Sequence, residues 1–306
     1  MILSVSRRTD KPNYYAEWFY NRIKEGFLYV RNPMNLHQVS RIDLSPQIVD
    51  CIVFWTKNPE PMLARLDELN AYHYYFQFTL TGYGKDIEAH VPHKKKRMLP
   101  VFRELSDKIG SDRVIWRYDP ILFNAVYTEE YHLRAFQQIA EGLKGYTKRC
   151  VVSFVDAYLK NKKNLEALNI CGKEGAEIRK FAEQLSEIAH GAGMEIGTCA
   201  ERIDLTGCGI GHNSCIDKQL TEAVLGCKIK AVKDKNQRPE CGCVESIDVG
   251  SYNTCRNGCS YCYANHSEES VLRNCMNYDV NSPLLCSKLT KEDKITERKM
   301  KSCKIR

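Results

Sequence analysis

A chain of 306 residues, 43% hydrophobic and 27% charged, has the make-up of a globular protein large enough for a barrel-sized domain. No apolar run approaches the ~20 residues of a membrane span, and the opening MILSVSRRTD places its short apolar stretch ahead of its charges, the reverse of a secretory signal, so a cytoplasmic location is expected. The net charge of +7 lies mostly in residues 287–306, with eight Lys or Arg against three Asp or Glu, which leaves a nearly neutral body and weak grounds for nucleic-acid binding.

Short runs rich in Val, Ile and aromatic residues recur along the first two thirds: ILSVS (2–6), CIVFW (51–55), YYFQFTL (74–80), RVIWRYD (113–119), CVVSFVD (150–156) and MEIGTC (194–199). Helical spacing fills the gaps at 13–26, 58–70, 127–143 and 175–190, the first ending on Gly26 and the second opening with Asn58 and Pro59. Strands alternating with helices predict a parallel α/β fold, here a partial (β/α)6 TIM-like barrel over residues 1–202. HKKKR (93–97) reads as a solvated loop and the basic tail 287–306 as a solvated helix. From 203 periodicity fades and Gly and Cys rise; residues 203–286 read as a cysteine-rich segment laid on the barrel mouth rather than another strand–helix unit.

Polar residues gather where the expected strands end: Arg7, Arg8 and Asp10; Lys57; Arg117 and Asp119; Asp156 and Tyr158; Cys199 and Glu201. In a parallel barrel those ends share the face that carries the chemistry. Arg7, Arg8, Lys57 and Arg117 are candidates to hold an anionic substrate, with Asp10 and Asp119 as fixed partners of the arginines. Asp156 and Glu201 could hold a ribose or take a proton, and Tyr83, Tyr158 and Tyr261 could stack on a base. His37, His73 and His212 lack metal spacing; His266 is a candidate ligand.

Fifteen cysteines, an odd number without an export signal, argue against a disulfide scaffold; nine of them fall between Cys199 and Cys262. Cys255, Cys259 and Cys262 are spaced C-x3-C-x2-C in NTCRNGCSYCYANH, with Gly258 available for a sharp turn. A structural zinc wants four ligands, whereas three thiolates from one loop leave one corner of a cubic 4Fe–4S cluster open for a substrate or cofactor. A second set is taken as Cys199, Cys215, Cys241 and Cys243, a closed 4Fe–4S or zinc site, with Cys215 placed before a helix whose N–H groups favour thiolate.

CRNGCSYCYA resembles the signature of the radical S-adenosylmethionine enzymes, in the form of the DNA-photoproduct-lyase branch. The resemblance implies a 4Fe–4S cluster on Cys255, Cys259 and Cys262, with Tyr261 beside it. It also implies S-adenosylmethionine as cofactor, a 5′-deoxyadenosyl radical, a six-unit partial barrel, and a reductant such as ferredoxin or flavodoxin. In that superfamily the cysteine loop directly follows the first strand and a Gly-Gly-Glu follows the second; here the triad lies near the other end of the chain and no clear Gly-Gly-Glu is present. The chain as a whole resembles a bacterial family known as domain of unknown function 1848, through VSRRTD, VDCIVFWTKNP, YYFQFTLTGYGKDIE, VIWRYDPI, CAERIDL, CGCVESIDVGSYNTC and GCSYCYAN. The expected function is a radical enzyme acting on a small, anionic or nucleotide-like substrate. The alternatives are a nucleic-acid lesion lyase and a zinc-binding or electron-transfer module without catalysis.

Overall fold

The computed structural model describes residues 1–155 and 162–305, with the backbone alone at 162 and 163. Its strands are β1 (Ile2–Val5), β2 (Phe27–Asn32), β3 (Asn35–Asp43), β4 (Cys51–Thr56), β5 (Tyr74–Thr79), β6 (Val114–Ile121), β7 (Arg149–Phe154), β8 (Glu195–Cys199), β9 (Gly211–Asn213), β10 (Ile247–Asp248) and β11 (Lys294–Glu297). Eight of them form one sheet in the order β10-β1-β4-β5-β6-β7-β8-β9. Every neighbouring pair in it is parallel, so the expected α/β class holds.

Successive side chains of a strand point to opposite faces, and the register sorts them cleanly here. One face carries Leu3, Val5, Ile52, Phe54, Phe76, Phe78, Val114, Trp116, Tyr118 and Val152, all in the main core. The helices Ala16–Glu25, Leu99–Ile109, Glu129–Leu143 and Gly175–Gly191 bury their apolar stripes in that same core. Ring stacking of Phe54 on Phe76 (4.7 Å between centroids) joins neighbouring strands, and that of Trp116 on Phe136 (4.6 Å) ties the sheet to a helix. The opposite, inner face carries Ile2, Cys51, Val53, Tyr75, Ile115 and Val151, which pack with Cys215, Ile216, Leu220, Ile229, Cys241, Cys243 and Val244. The cysteine-rich segment therefore supplies the second core.

That segment does more than lie against the sheet. It adds β9, the helix Lys218–Leu225 and β10, so the sheet is extended at both edges by residues beyond 202. These strands are only three and two residues long, too short for a sequence period to register.

Two expectations are corrected. The basic tail is not a solvated helix: β11 pairs in parallel with β3, whose other edge pairs antiparallel with β2. Pairing satisfies the row of backbone groups that β3 would otherwise present as an open edge. HKKKR is not a plain loop either. Lys94–Met98 form a helical turn leading into Leu99–Ile109, compatible with Pro100 because a proline in the first helical turn removes no needed N–H.

Candidate functional site

The triad loop begins where β10 ends, beside the end of β1. Asp248 of β10 accepts hydrogen bonds from Ser4 Oγ and Arg7 N, and Gly250 lies so close to Ser6 that a Cβ there would collide with its hydroxyl. Thr9 Oγ1 donates to Ser251 O at 2.7 Å and Tyr15 OH to Thr254 O at 2.6 Å. Residues 86–90 hold the loop from its other side: His90 N donates to Asn257 O, Ser260 N to Ile87 O, and Glu88 bridges Cys259. Gly258 takes a φ of +63° between the first two cysteines, with His90 2.9 Å from where a Cβ would stand; glycine meets both demands.

Around the three thiols runs a polar cradle. Asp10 is buried and accepts from Lys57 N (2.8 Å), Asn257 Nδ2 (2.9 Å) and Asn13 N (3.2 Å). It does not pair with Arg7 or Arg8, as their sequence proximity had implied; capping the helix Lys11–Tyr14 and anchoring the triad loop occupy its oxygens instead. Glu88 accepts from Lys57 Nζ (2.7 Å), Thr81 Oγ1 (2.9 Å), Tyr261 OH (2.5 Å) and Lys94. Burial alone would favour the neutral acid, yet Lys57 and Lys94 bring Glu88 down to about 2. Burial, the Asp10 carboxylate and Cys262 push the Cys255 thiol up to about 12. Burial likewise raises Cys259 and Cys262, with Lys57 opposing the rise at both.

The second cysteine set converges from three separate pieces of chain. Cys199 ends β8, Cys215 follows β9, and Cys241 and Cys243 lie in the loop before β10. Cys199 Sγ and Cys215 Sγ are 3.2 Å apart, and Cys243 Sγ accepts from Ile216 N at 3.3 Å. The hydrogen bond with Cys243 draws the Cys241 thiol down to about 7. The hydrogen bond with Cys215, then burial, holds Cys199 well above its ordinary value. Cys215 does not owe its surroundings to a helix N-terminus, since Asp217 is the cap of Lys218–Leu225; the nearest cation is Arg117, whose Nη1 lies 2.7 Å from Cys215 Sγ. Cys208, by contrast, is buried in the main core.

Between the two sets the inner face turns polar. Arg117 is buried, paired with Asp119 through Nη2, and lies 5.2 Å over the Trp55 ring. Asp119 also accepts from Ser153 Oγ. Arg7 covers the same indole at 5.6 Å, and its Nη2 is buried without a hydrogen-bond partner. Arg8 sits 4.8 Å over Tyr252. Tyr83 is buried, donating to Pro120 O and accepting from Leu122 N, with its ring 5.9 Å from that of Tyr261. Glu201 accepts from Phe154 N, and the backbone N of His266 donates to Asn253 Oδ1. Asp156 and Tyr158 lie outside the described residues. Sequence reasoning missed Glu88, Asn257 and Thr81. No spacing rule singles out a glutamate in GKDIEAH, though a carboxylate among Lys57 and Lys94 is what two half-buried amines require.

Among the described residues no three His, Cys, Asp or Glu side chains stand at the spacing of a single metal ion. The donor chemistry fits an iron–sulfur group at either set. Each offers only sulfur, buried at Cys215, Cys241 and Cys243 and partly buried at Cys199 and the triad, and sulfur donors of this kind suit iron–sulfur clusters, zinc or copper(I) rather than hard cations. Each also has a cation at hand to offset thiolate charge, Lys57 for the triad and Arg117 for the quartet.

Among the described residues no helix is long and apolar enough to cross a membrane. No curated protein matches the chain. A family model described as "Domain of unknown function (DUF1848)" matches residues 2–264, which take in β1 through the triad loop and stop short of the basic tail. With that span covered, the chain belongs to the DUF1848 family.

Proposed function

We propose that this protein is an iron–sulfur enzyme of the radical S-adenosylmethionine type. Cys255, Cys259 and Cys262 would hold a 4Fe–4S cluster with one iron free of protein, and the quartet would hold a second, closed cluster. The observation that carries the reading is the position of β10. It lies parallel to β1 at the edge of the sheet, and the triad loop leaves its C-terminal end. Starting from β10, the sheet runs on through β1, β4, β5, β6, β7 and β8, so the cysteine loop follows an edge strand even though it comes late in the chain.

The partial barrel belongs to the same reading. From β1 to β9 the strand order runs in one direction, with β10 alone added on the other side of β1, unlike that of a doubly wound sheet with its switch point. Tyr75 OH and Gln77 Nε2 of β5 both donate to Cys215 O, although Cys215 follows β9, four strands away in the sheet. A sheet curled about the cysteine-rich segment accounts for that reach.

Cys255, Cys259 and Cys262 would hold an open-cornered 4Fe–4S cluster, whose chemistry when bound would be one-electron reduction of S-adenosylmethionine to methionine and a 5′-deoxyadenosyl radical. The protein's own part is positioning and exclusion of water. Glu88 fixes Lys57 and Tyr261 beside Cys259; Asp10 and Asn257 fix the loop backbone. Arg7 presents an unpartnered N–H, the group that an anionic substrate would satisfy. Lys57 and Arg117 are already committed to Glu88 and Asp119, so they shape the chamber's charge rather than clamp the substrate.

Anaerobic reconstitution followed by iron and sulfide counting tests the reading, together with an assay for 5′-deoxyadenosine after dithionite reduction. About eight irons per chain and 5′-deoxyadenosine formation are expected for two such clusters. Cys259→Ala should halve the iron and abolish the nucleoside product. Undiminished product from that variant would remove the triad from the chemistry.

A further inference from the structure

The basic tail and the lysine-rich stretch KIKAVKDK meet over the quartet. Lys230 N donates to Cys303 O at 2.7 Å and Ile305 N to Lys228 O at 2.9 Å, so residues 228–230 and 303–305 form a small antiparallel pair. The same stretch is bonded to the quartet's own loop: Asp234 N donates to Cys243 O at 2.9 Å, and Lys233 bridges Val244. Lys228, Lys230, Lys233, Lys235, Lys299, Lys301 and Lys304 are all exposed. The acids nearby offset only part of this charge. Glu222 pairs with Lys228 and neutralises it, Asp234 is buried, Glu240 pairs with Arg202, and Glu245, whose N donates to Val232 O, is exposed. Two large apolar side chains, Val232 (53% exposed) and Ile305 (58%), lie among these lysines.

We infer that this lysine-rimmed surface is the docking site for a small acidic electron-carrier protein, with the quartet beneath it as the point where the electron enters. The inference rests on the iron–sulfur reading above. An apolar centre inside a charged rim is the anatomy of a transient protein interface. Nucleic acid would call instead for guanidinium forks and aromatic platforms, whereas the cations of 228–235 and 299–304 are all lysines around aliphatic side chains, and the neighbouring Arg202 is paired with Glu240. Four thiolates close a cluster to substrate, which suits electron carriage, and the quartet is one backbone hydrogen bond from this surface. In the step itself, one electron leaves the carrier's reduced flavin or iron–sulfur group and is taken up at the quartet. No covalent bond forms or breaks.

The test uses the reconstituted holoprotein with reduced flavodoxin as the acidic carrier, titanium(III) citrate as a small reductant, and a single-stranded oligonucleotide as the competing macromolecule. Bleaching of the visible absorbance and the flavodoxin dissociation constant are the readouts. The triple variant Lys230→Glu, Lys233→Glu, Lys304→Glu should retain its iron and its rate with titanium citrate. Flavodoxin should bind it and reduce it about tenfold or more worse, and in wild type both should weaken steeply with salt. Equal flavodoxin binding and reduction by the two proteins would overturn the inference, as would an oligonucleotide that binds wild type in a lysine-dependent way while flavodoxin does not bind. A protein that takes up no iron would defeat the proposed function instead; the dissociation constant would still decide the docking surface.

Discussion

The two faces of the main sheet are built from alternating residues of the same strands, yet they are composed to different ends. On the outer face Leu3, Val5, Ile52, Phe54, Phe76, Phe78, Val114, Trp116 and Tyr118 are apolar or aromatic and buried in the core with the helices, and Thr56 at the end of β4 is polar. On the inner face β1, β4, β5 and β6 begin with apolar residues (Ile2, Cys51, Val53, Tyr75, Ile115), and the later positions of the sheet are Ser4, Trp55, Gln77, Arg117, Asp119, Ser153 and Cys199. A parallel sheet buried on both sides ordinarily reads as unbroken hydrophobic runs. Where one face turns polar toward the C-terminal strand ends, burial of charge is being tolerated for something other than stability. The contrast is sharpest at one peptide bond: Trp116 faces the helices and Arg117 faces the cysteines.

That pair gives the largest expected effects. Trp116→Ala removes a fully buried indole stacked on Phe136, whose Nε1 also donates to Leu80 O. A loss of about 3–5 kcal/mol in chemical denaturation is expected, and no second-site change nearby restores it. Arg117→Met leaves the Asp119 carboxylate with Ser153 and no arginine, for a similar loss of about 3–5 kcal/mol. Here the double variant Arg117→Met, Asp119→Leu should recover most of the stability, because replacing both members of a buried pair by apolar groups is near neutral. It should not recover iron binding at the quartet. If the double variant binds iron like wild type, the polarity of the inner face is structural after all and the contrast between the faces collapses.

His132 asks whether the outer face holds a titratable group without using it. Its Nε2 donates to Leu122 O at 2.8 Å and its Nδ1 accepts from Tyr118 OH at 2.9 Å, so the ring is neutral and fully engaged. Burial lowers its pKa from 6.5 to about 4. A base whose folded pKa is depressed contributes stability above its unfolded value and loses it as pH falls through the folded one. Between pH 6.5 and 4 wild type should therefore lose up to about 3 kcal/mol that a His132→Gln variant does not lose over the same range. Parallel pH profiles for the two proteins would mean that the ring is charged or exposed in solution. Iron content should be the same in both.

How much of this was legible follows from how local each signal is. The six long strands are continuous runs of Val, Ile and aromatic residues, and their bounds agree with expectation to within a residue or two at most ends. The hairpin β2–β3 escaped notice because Phe27–Asn32 and Asn35–Asp43 mix charges with apolar residues on a largely exposed pair of strands. The triad declares itself, since three cysteines in eight residues need no tertiary structure to be counted together. The quartet comes from three stretches, and only the fold shows that Cys199 and Cys215 meet while Cys208, between them in sequence, goes to the other face. Glu88 was invisible because its importance lies in partners 31 residues before it and six after it, Lys57 and Lys94, joined only once the loop folds over them.

The smallest effect tests whether the outer helices can be weakened without disturbing the inner face. Thr128 caps the helix Glu129–Leu143, its Oγ1 accepting from Tyr131 N at 3.2 Å. Thr128→Ala leaves one N–H of the first turn unsatisfied and should cost about 1 kcal/mol. That helix carries Phe136 onto Trp116 and His132 onto Tyr118, so its loosening reaches the outer side of β6 directly. Close packing of the sheet would pass such a change to Arg117 only if β6 itself shifted. Iron content and carrier-driven bleaching should therefore stay at wild-type levels while the denaturation midpoint falls. A variant that loses iron in proportion to its lost stability would show that the two faces are one cooperative object, and that the thiols are positioned by the strength of the whole fold rather than by the cradle around them.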